Sequence, residues 1–265
     1  MESSAYQQAE NTSNKHAVTL DQTKQPRLHR FHPVGMVLWF LGLVLLVIGG
    51  IIVHNHPTTW SLEQNVINVI QGPHPVPCPV SWHASFWENE VAYFINTLND
   101  PMEAVIIPVA WMIVVMLFRW FLQAISLGIA VLTSSLWWAG LGTLVARPRA
   151  TVKDGVCVYR AINAYSFPSG HVIHDVVLYG FLLYLSFSRP VRQWRYRWIL
   201  LPFQIVMILY MLAVGYARLL AGEHHFFDVL GGYLAGILWL CLFIFLYRWV
   251  ANLLTKRHLN KMALG

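Results

Sequence analysis

Three stretches of this sequence combine residue type and spacing in a way that suits chemistry: Arg147-Pro148-Arg149, Pro168-Ser169-Gly170-His171, and Arg218 followed by His224 and Asp228. Arginine carries a rigid fork of donors that matches phosphate oxygens two at a time, which suits Arg147 and Arg218 to an anion clamp. Gly170 lets backbone amides approach an anion closely, Ser169 adds a hydroxyl donor, and the start of a helix favours negative charge. His171, in the first turn of that helix, is placed to give a proton to a leaving oxygen. His224 and Asp228 are four residues apart and share a face if helical. The carboxylate can then hold one imidazole nitrogen and leave the other as a nucleophile. A nucleophile, an orienting acid, a general acid and an anion clamp are the parts of a phosphoryl-transfer site.

Other polar residues take plainer readings. His174 and His225 read as hydrogen-bonding residues at helix ends, and Asp175 as a polar boundary residue or an orienting partner for His171. The 12 histidines raise a haem or metal reading. Bis-histidine haem ligation needs facing pairs inside apolar spans, and the apolar parts of the predicted spans hold none. Zinc on His224, His225 and Asp228 is disfavoured because adjacent side chains point apart on a helix. No metal and no cofactor is expected. Cys78 and Cys157 fall in predicted outer loops, where they either pair or stay as thiols. Cys241 reads as a packing residue.

The elements that must position these residues are membrane spans. The chain has 265 residues, 57% hydrophobic and 11% charged, against ~25% charged in an average soluble domain. Apolar runs long enough or nearly long enough to cross a bilayer lie at 35–53, 104–118, 121–145, 171–188, 198–216 and 229–248. The fourth is short and begins at a motif, which puts its start below the membrane surface. Residues 82–99 of the long loop 54–103 have helical apolar spacing and predict an amphipathic helix at the membrane surface, or a lid. The fold class is therefore all-α: six transmembrane helices with the active site at the extracytoplasmic face. Residues 33–250 form the membrane domain, between a flexible cytoplasmic tail (1–32) and a basic cytoplasmic tail (251–265).

Charge sets the orientation. Lys and Arg gather before the first span, at Arg119, in 189–197 and in the tail, whereas loop 54–103 has none. The positive-inside rule places those basic segments in the cytoplasm. The outer loops 146–170 and 217–228 break the rule with Arg147, Arg149, Lys153, Arg160 and Arg218. Basic residues kept against a topological preference point to a local task such as holding an anion.

The three stretches, in this order, resemble the signature of the type 2 phosphatidic acid phosphatase family: Lys, six residues, Arg-Pro; then Pro-Ser-Gly-His; then Ser-Arg, five residues, His, three residues, Asp. Tyr165-Ser166-Phe167 and Val229-Leu230-Gly231-Gly232-Tyr233 are similar to its bacterial branch, and the resemblance covers residues from about 100 to 250. It implies a lipid-phosphate phosphatase in a bacterial inner membrane, acting on phosphatidic acid, phosphatidylglycerol phosphate or a polyprenyl phosphate or diphosphate, with no metal or nucleic acid. The implied roles are attack on phosphorus by His224, orientation by Asp228, proton transfer by His171, and a clamp of Arg147, Ser169, Gly170 and Arg218.

Two positions depart from the pattern. Gly140 stands at the lysine position and Ala217 at the serine before Arg218. Losing a charged contact to a transition state costs roughly 10²–10³ in rate, so Arg149 or Lys153 is expected to compensate. The same motifs also suit a phosphotransferase. The missing lysine further admits a protein that binds lipid phosphate without turnover.

Overall fold

The computed structural model describes residues 33–72, 86–158 and 163–264. The tail 1–32, Cys78 and Arg160 lie outside them. Residues Val37–Gly265 form one compact unit, and of the other, Met1–Met36, the described part is the first turn of a helix.

The described residues are helical and contain no strand. In chain order the helices are α1 (Pro33–Asn55), α2 (Ser61–Gln71), α3 (Phe86–Thr97), α4 (Glu103–Leu117), α5 (Phe121–Val145), α6 (Gly170–Ser186), the single turn α7 (Arg189–Arg192), α8 (Leu201–Leu220) and α9 (Phe226–Leu264). Short 3-10 turns occupy Val152–Asp154 and Arg197–Leu200. The stretches Pro33–Asn55, Phe121–Val145, Arg197–Leu220 and Phe226–Met262 are long and apolar enough to cross a membrane. The apolar but shorter α4 and α6 complete six. The protein is an integral membrane protein.

The apolar surface is divided as lipid and protein neighbours require. On α1, Leu38, Leu41, Leu45 and Ile52 are exposed, as suits side chains that face hydrocarbon. In contrast, α6 is the hub. Its Val172, Val176, Ile173, Val177, Leu178 and Phe181 are buried and contribute to three apolar clusters with α5, α8 and α9. It has 17 residues, which at 1.5 Å each span roughly 26 Å. That is shorter than a ~30 Å hydrocarbon core. Its approach to α9 is close because Gly232 and Gly236 face it. A Cβ on Gly232 would stand 2.9 Å from Ser169 O, and one on Gly236 would stand 3.0 Å from Val176 Cβ.

Several boundaries differ from the sequence-based expectations. α9 runs on to Leu264, so the basic segment after residue 250 continues that helix. α2 was not expected: it lies in loop 54–103 ahead of the predicted 82–99 helix. Its Glu63, Ile67 and Gln71 are buried, spaced by four as one helical face requires. α3 falls inside the predicted 82–99 segment and packs Ala92 and Ile95 against Val214 and Ala217 of α8.

The loops are pinned. Gln71 Nε2 donates to Cys157 O and Leu220 O, each at 2.9 Å, while its Oε1 accepts from Cys157 N at 3.0 Å. Cys157 is disulfide-bonded. Gly222, with φ +66°, follows α8, and an added Cβ there would stand 2.2 Å from Cys157 O. Only glycine fits that close approach in the left-handed region. These contacts fix the turn between Arg218 and His224.

Candidate active site

The three motifs meet at one end of the bundle. α5 ends at Val145, with Ala146 left-handed, and delivers Arg147 and Arg149. The loop before α6 delivers Ser166, Ser169 and Gly170. Arg218 lies in the last turn of α8, and His224 and Asp228 flank the start of α9. Arg147, Ser166, Ser169, Arg218, His224 and Asp228 are all buried.

His224 has two differently treated nitrogens. Its Nδ1 lies 2.9 Å from Ser166 O. A carbonyl only accepts, so Nδ1 carries the proton and donates it. In the neutral ring Nε2 then holds the lone pair, and this buried atom has no hydrogen-bond partner. Burial, followed by repulsion from Arg149, His171 and Arg218 against a proton on the ring, holds the imidazole well below its ordinary pKa. The ring is therefore neutral near pH 7, which is the form that attacks an electrophile.

Asp228 acts at one remove. Its Oδ2 lies 4.0 Å from His224 Nδ1, so the direct hydrogen bond belongs to Ser166 O. The carboxylate is fixed by other donors: Arg147 Nη1 to Oδ1 at 2.8 Å, His225 N to Oδ2 at 2.8 Å, and the Ser166 hydroxyl to Oδ2. Ser166 thus touches both members of the pair, its carbonyl on the imidazole and its hydroxyl on the acid.

A cavity of about 220 Å³ is lined by Asn99, Pro101, Ser134, Trp138, Arg149 and His171, among others, while His224, Asp228, Ser169 and Arg218 are not among its lining residues. Gly170 and His174 also line it. Arg149 is braced there by main-chain acceptors, Nε to Ala164 O at 3.3 Å and Nη1 to Glu223 O at 2.9 Å. The Ser169 hydroxyl is buried without a hydrogen-bond partner. Arg218 Nη1 donates to Glu223 Oε2 at 2.7 Å. Such a place offers donors and positive charge to a small anion.

The sequence of residues 120–253, half of the chain, matches the PAP2 superfamily. The chain belongs to the PAP2 superfamily. Two solved structures share the superfamily fold at 19% identity. One is described as the first transmembrane PAP2 type phosphatidylglycerolphosphate phosphatase from Bacillus subtilis; the similarity covers 77% of this chain and 93% of that one, with a TM-score of 0.59. The other is LpxE of Aquifex aeolicus, covering 70% of this chain and 96% of that one, with a TM-score of 0.52.

Within this PAP2 framework the expected residues divide. His171, Arg149 and Gly170 line the cavity, and His224 stands in the charge field of His171, Arg149 and Arg218. Lys153 is exposed on the 3-10 turn Val152–Asp154 and is not among the lining residues. Gly140 is exposed, and an added Cβ there meets nothing within 4 Å. The cavity face of α5 instead carries Ser134, Ser135 and Trp138. His174, read as a plain helix-end residue, lines the cavity. Asp175 is buried and accepts from Asn99 Nδ2 at 3.0 Å. Sequence reasoning missed Glu63, which is fully buried against Arg147. Its available signal was Leu62, Val66, Ile67, Val69 and Ile70, whose helical spacing places α2.

Proposed function

We propose that this protein hydrolyses a phosphate monoester or diphosphate carried by a membrane lipid, through a phosphohistidine on His224. The observation that carries the proposal is the state of His224: Nδ1 donating to Ser166 O, and Nε2 buried, deprotonated and without a partner. Mere binding of a phosphate needs no such atom.

The first step forms an Nε2–P bond and breaks the P–O bond to the lipid. His171, in the imidazolium form paired with the bound phosphate, gives its proton to the departing alkoxide and becomes neutral. His224 becomes cationic as it is phosphorylated, and the Asp228 carboxylate at 4.0 Å stabilises that charge. In the second step His171 takes a proton from water, the hydroxide oxygen bonds to phosphorus, and the Nε2–P bond breaks. Arg149, Arg218, Ser169 Oγ and the Gly170 amide hold the phosphoryl oxygens as charge spreads over them. Arg149 supplies the cation that a lysine at position 140 would supply by the family pattern.

The lipid class follows from space and solvent. A cavity of about 220 Å³ is below the ~300 Å³ typical of sites that enclose a drug-sized ligand. It takes a headgroup, so the tail stays in the bilayer alongside α4 and α5, whose Ala104 and Trp138 border the cavity. Arg119 and the 189–197 arginines mark the opposite end as cytoplasmic, which directs the site outward from a bacterial inner membrane.

A phosphate-release panel over phosphatidic acid, phosphatidylglycerol phosphate and polyprenyl phosphates, run beside His224→Ala, tests the reading. Release from at least one lipid, abolished by the substitution, is expected. Release that survives it overturns the mechanism.

A further inference from the structure

A histidine that gives a proton in one step and takes one in the next must present the same ring nitrogen both times. For His171, Asn99 supplies the means. It lies in the turn between α3 and α4, is 2% exposed, and lines the cavity together with His171. The His171 ring hydrogen-bonds the main-chain carbonyl of Asn99. A carbonyl only accepts, so the nitrogen on it keeps its proton whether the ring is neutral or cationic. The other nitrogen is left to give a proton to the alkoxide and then to take one from water. His224 is held by the same device, with Nδ1 donating to Ser166 O.

The side chain of Asn99 anchors that carbonyl. Its Nδ2 donates to Asp175 Oδ2 at 3.0 Å, to Tyr210 Oη at 2.9 Å and to Ile95 O at 3.1 Å. Asp175, one turn after His171 on α6, also hydrogen-bonds the Tyr210 hydroxyl of α8. Tyr179, a further turn along α6, hydrogen-bonds Tyr210 as well, and the two rings meet edge-on with centroids 4.9 Å apart. These polar groups sit beside the apolar cluster of Ile95, Val172, Val176 and Val214. A polar group buried there without a partner costs ~1–3 kcal/mol, so the network is held to the one geometry that pairs its members. It ties the outer turn to α6 and α8 at the level of His171.

We propose that Asn99 is a positioning residue for the general acid: its carbonyl sets the tautomer and aim of His171, and Asp175 and Tyr210 hold Asn99 in place. Spacing by four puts Asp175 on the same face of α6 as His171, and the route between them runs through Asn99. α3, which packs Ala92 and Ile95 on α8, is then a fixed support for the acid. This rests on His171 as the acid and base of the proposed reaction.

The test exploits the leaving group. An alkoxide needs a proton as it departs, and a nitrophenolate does not. Because kcat/KM covers binding through the first phosphoryl transfer, it is measured for a long-chain alkyl phosphate and for a nitrophenyl phosphate bearing the same tail, both in detergent micelles. Misplacing a reacting group by ~1 Å costs roughly 10²-fold. Asn99→Ala is expected to lose roughly 10- to 100-fold on the alkyl phosphate and less than threefold on the nitrophenyl one. Should Asn99→Ala not fold, Tyr210→Phe takes its place; it removes one anchor, keeps the ring, and should show the same split at about three- to tenfold. A merely structural role would lower both substrates alike. Equal losses on the two substrates, or a folded variant with wild-type kcat/KM on both, overturn the proposal. His171→Ala in the same assay should split the substrates more widely than Asn99→Ala. A His171→Ala protein that loses equally on both shows instead that His171 is not the acid, and the underlying reading falls.

Discussion

Arg149→Gln tests the phosphate clamp most sharply. Two main-chain acceptors, Ala164 O and Glu223 O, brace the guanidinium at the cavity wall, so it is organised before substrate arrives. Removing a preorganised donor to a developing charge costs ~2.7–4 kcal/mol, a loss of roughly 10²–10³ in kcat/KM. A second consequence is independent of substrate contact. After burial, the charge of Arg149 is the largest influence lowering the pKa of His224. Without it the imidazole protonates more readily, and the acid limb of the kcat/KM profile moves upward toward 6.5. Arg149→Lys, which keeps charge but not the fork, should fall between. The assay is phosphate release from a lipid phosphate in detergent micelles from pH 5 to 8. An Arg149→Gln protein within threefold of wild type, with an unmoved acid limb, refutes the assignment.

Gly140→Lys should leave kcat/KM within twofold, because position 140 is exposed and away from the cavity lining; a tenfold gain would show that a lysine there reaches the phosphate. Gly222→Ala combines a left-handed residue, costing ~1–2 kcal/mol, with a Cβ 2.2 Å from Cys157 O. It should lower the melting temperature by several degrees in a detergent-solubilised thermal shift. The lowered pKa of His224 makes the folded ring refuse a proton that the unfolded chain accepts. Its contribution is therefore intact above the unfolded value of ~6.5 and is lost as pH falls toward the folded one. Melting temperature followed from pH 7.5 to 5 should fall less steeply in His224→Gln than in wild type.

The long spans were legible because nothing but lipid burial explains such apolar runs. The ends of α5 lie at Phe121 and Val145, as hydropathy places them. Motif spacing brought His171, His224, Arg149 and Arg218 into one charge cluster, since helix ends fix where main chains meet. What spacing does not carry is side-chain destination. Arg147 and Arg149 are two residues apart in one loop, yet the first turns to Glu63 and Asp228 and the second to the cavity. Glu63 was hidden for a related reason. It is an acidic residue on a short helix of an outer loop, and its ion pair is with a residue 84 positions away. The hydrogen bond from His224 to Ser166 was equally hidden, because a carbonyl leaves no mark on the sequence.

The central claim is a covalent phosphohistidine at His224 Nε2. Rapid acid-free quenching of the protein with a lipid phosphate labelled at phosphorus, followed by peptide mapping, tests it directly. The account predicts an acid-labile, base-stable label on the peptide containing His224, absent in His224→Ala and accumulating in His171→Ala with a good leaving group. Turnover with no label on that peptide under any quench, or label that persists in His224→Ala, would contradict it.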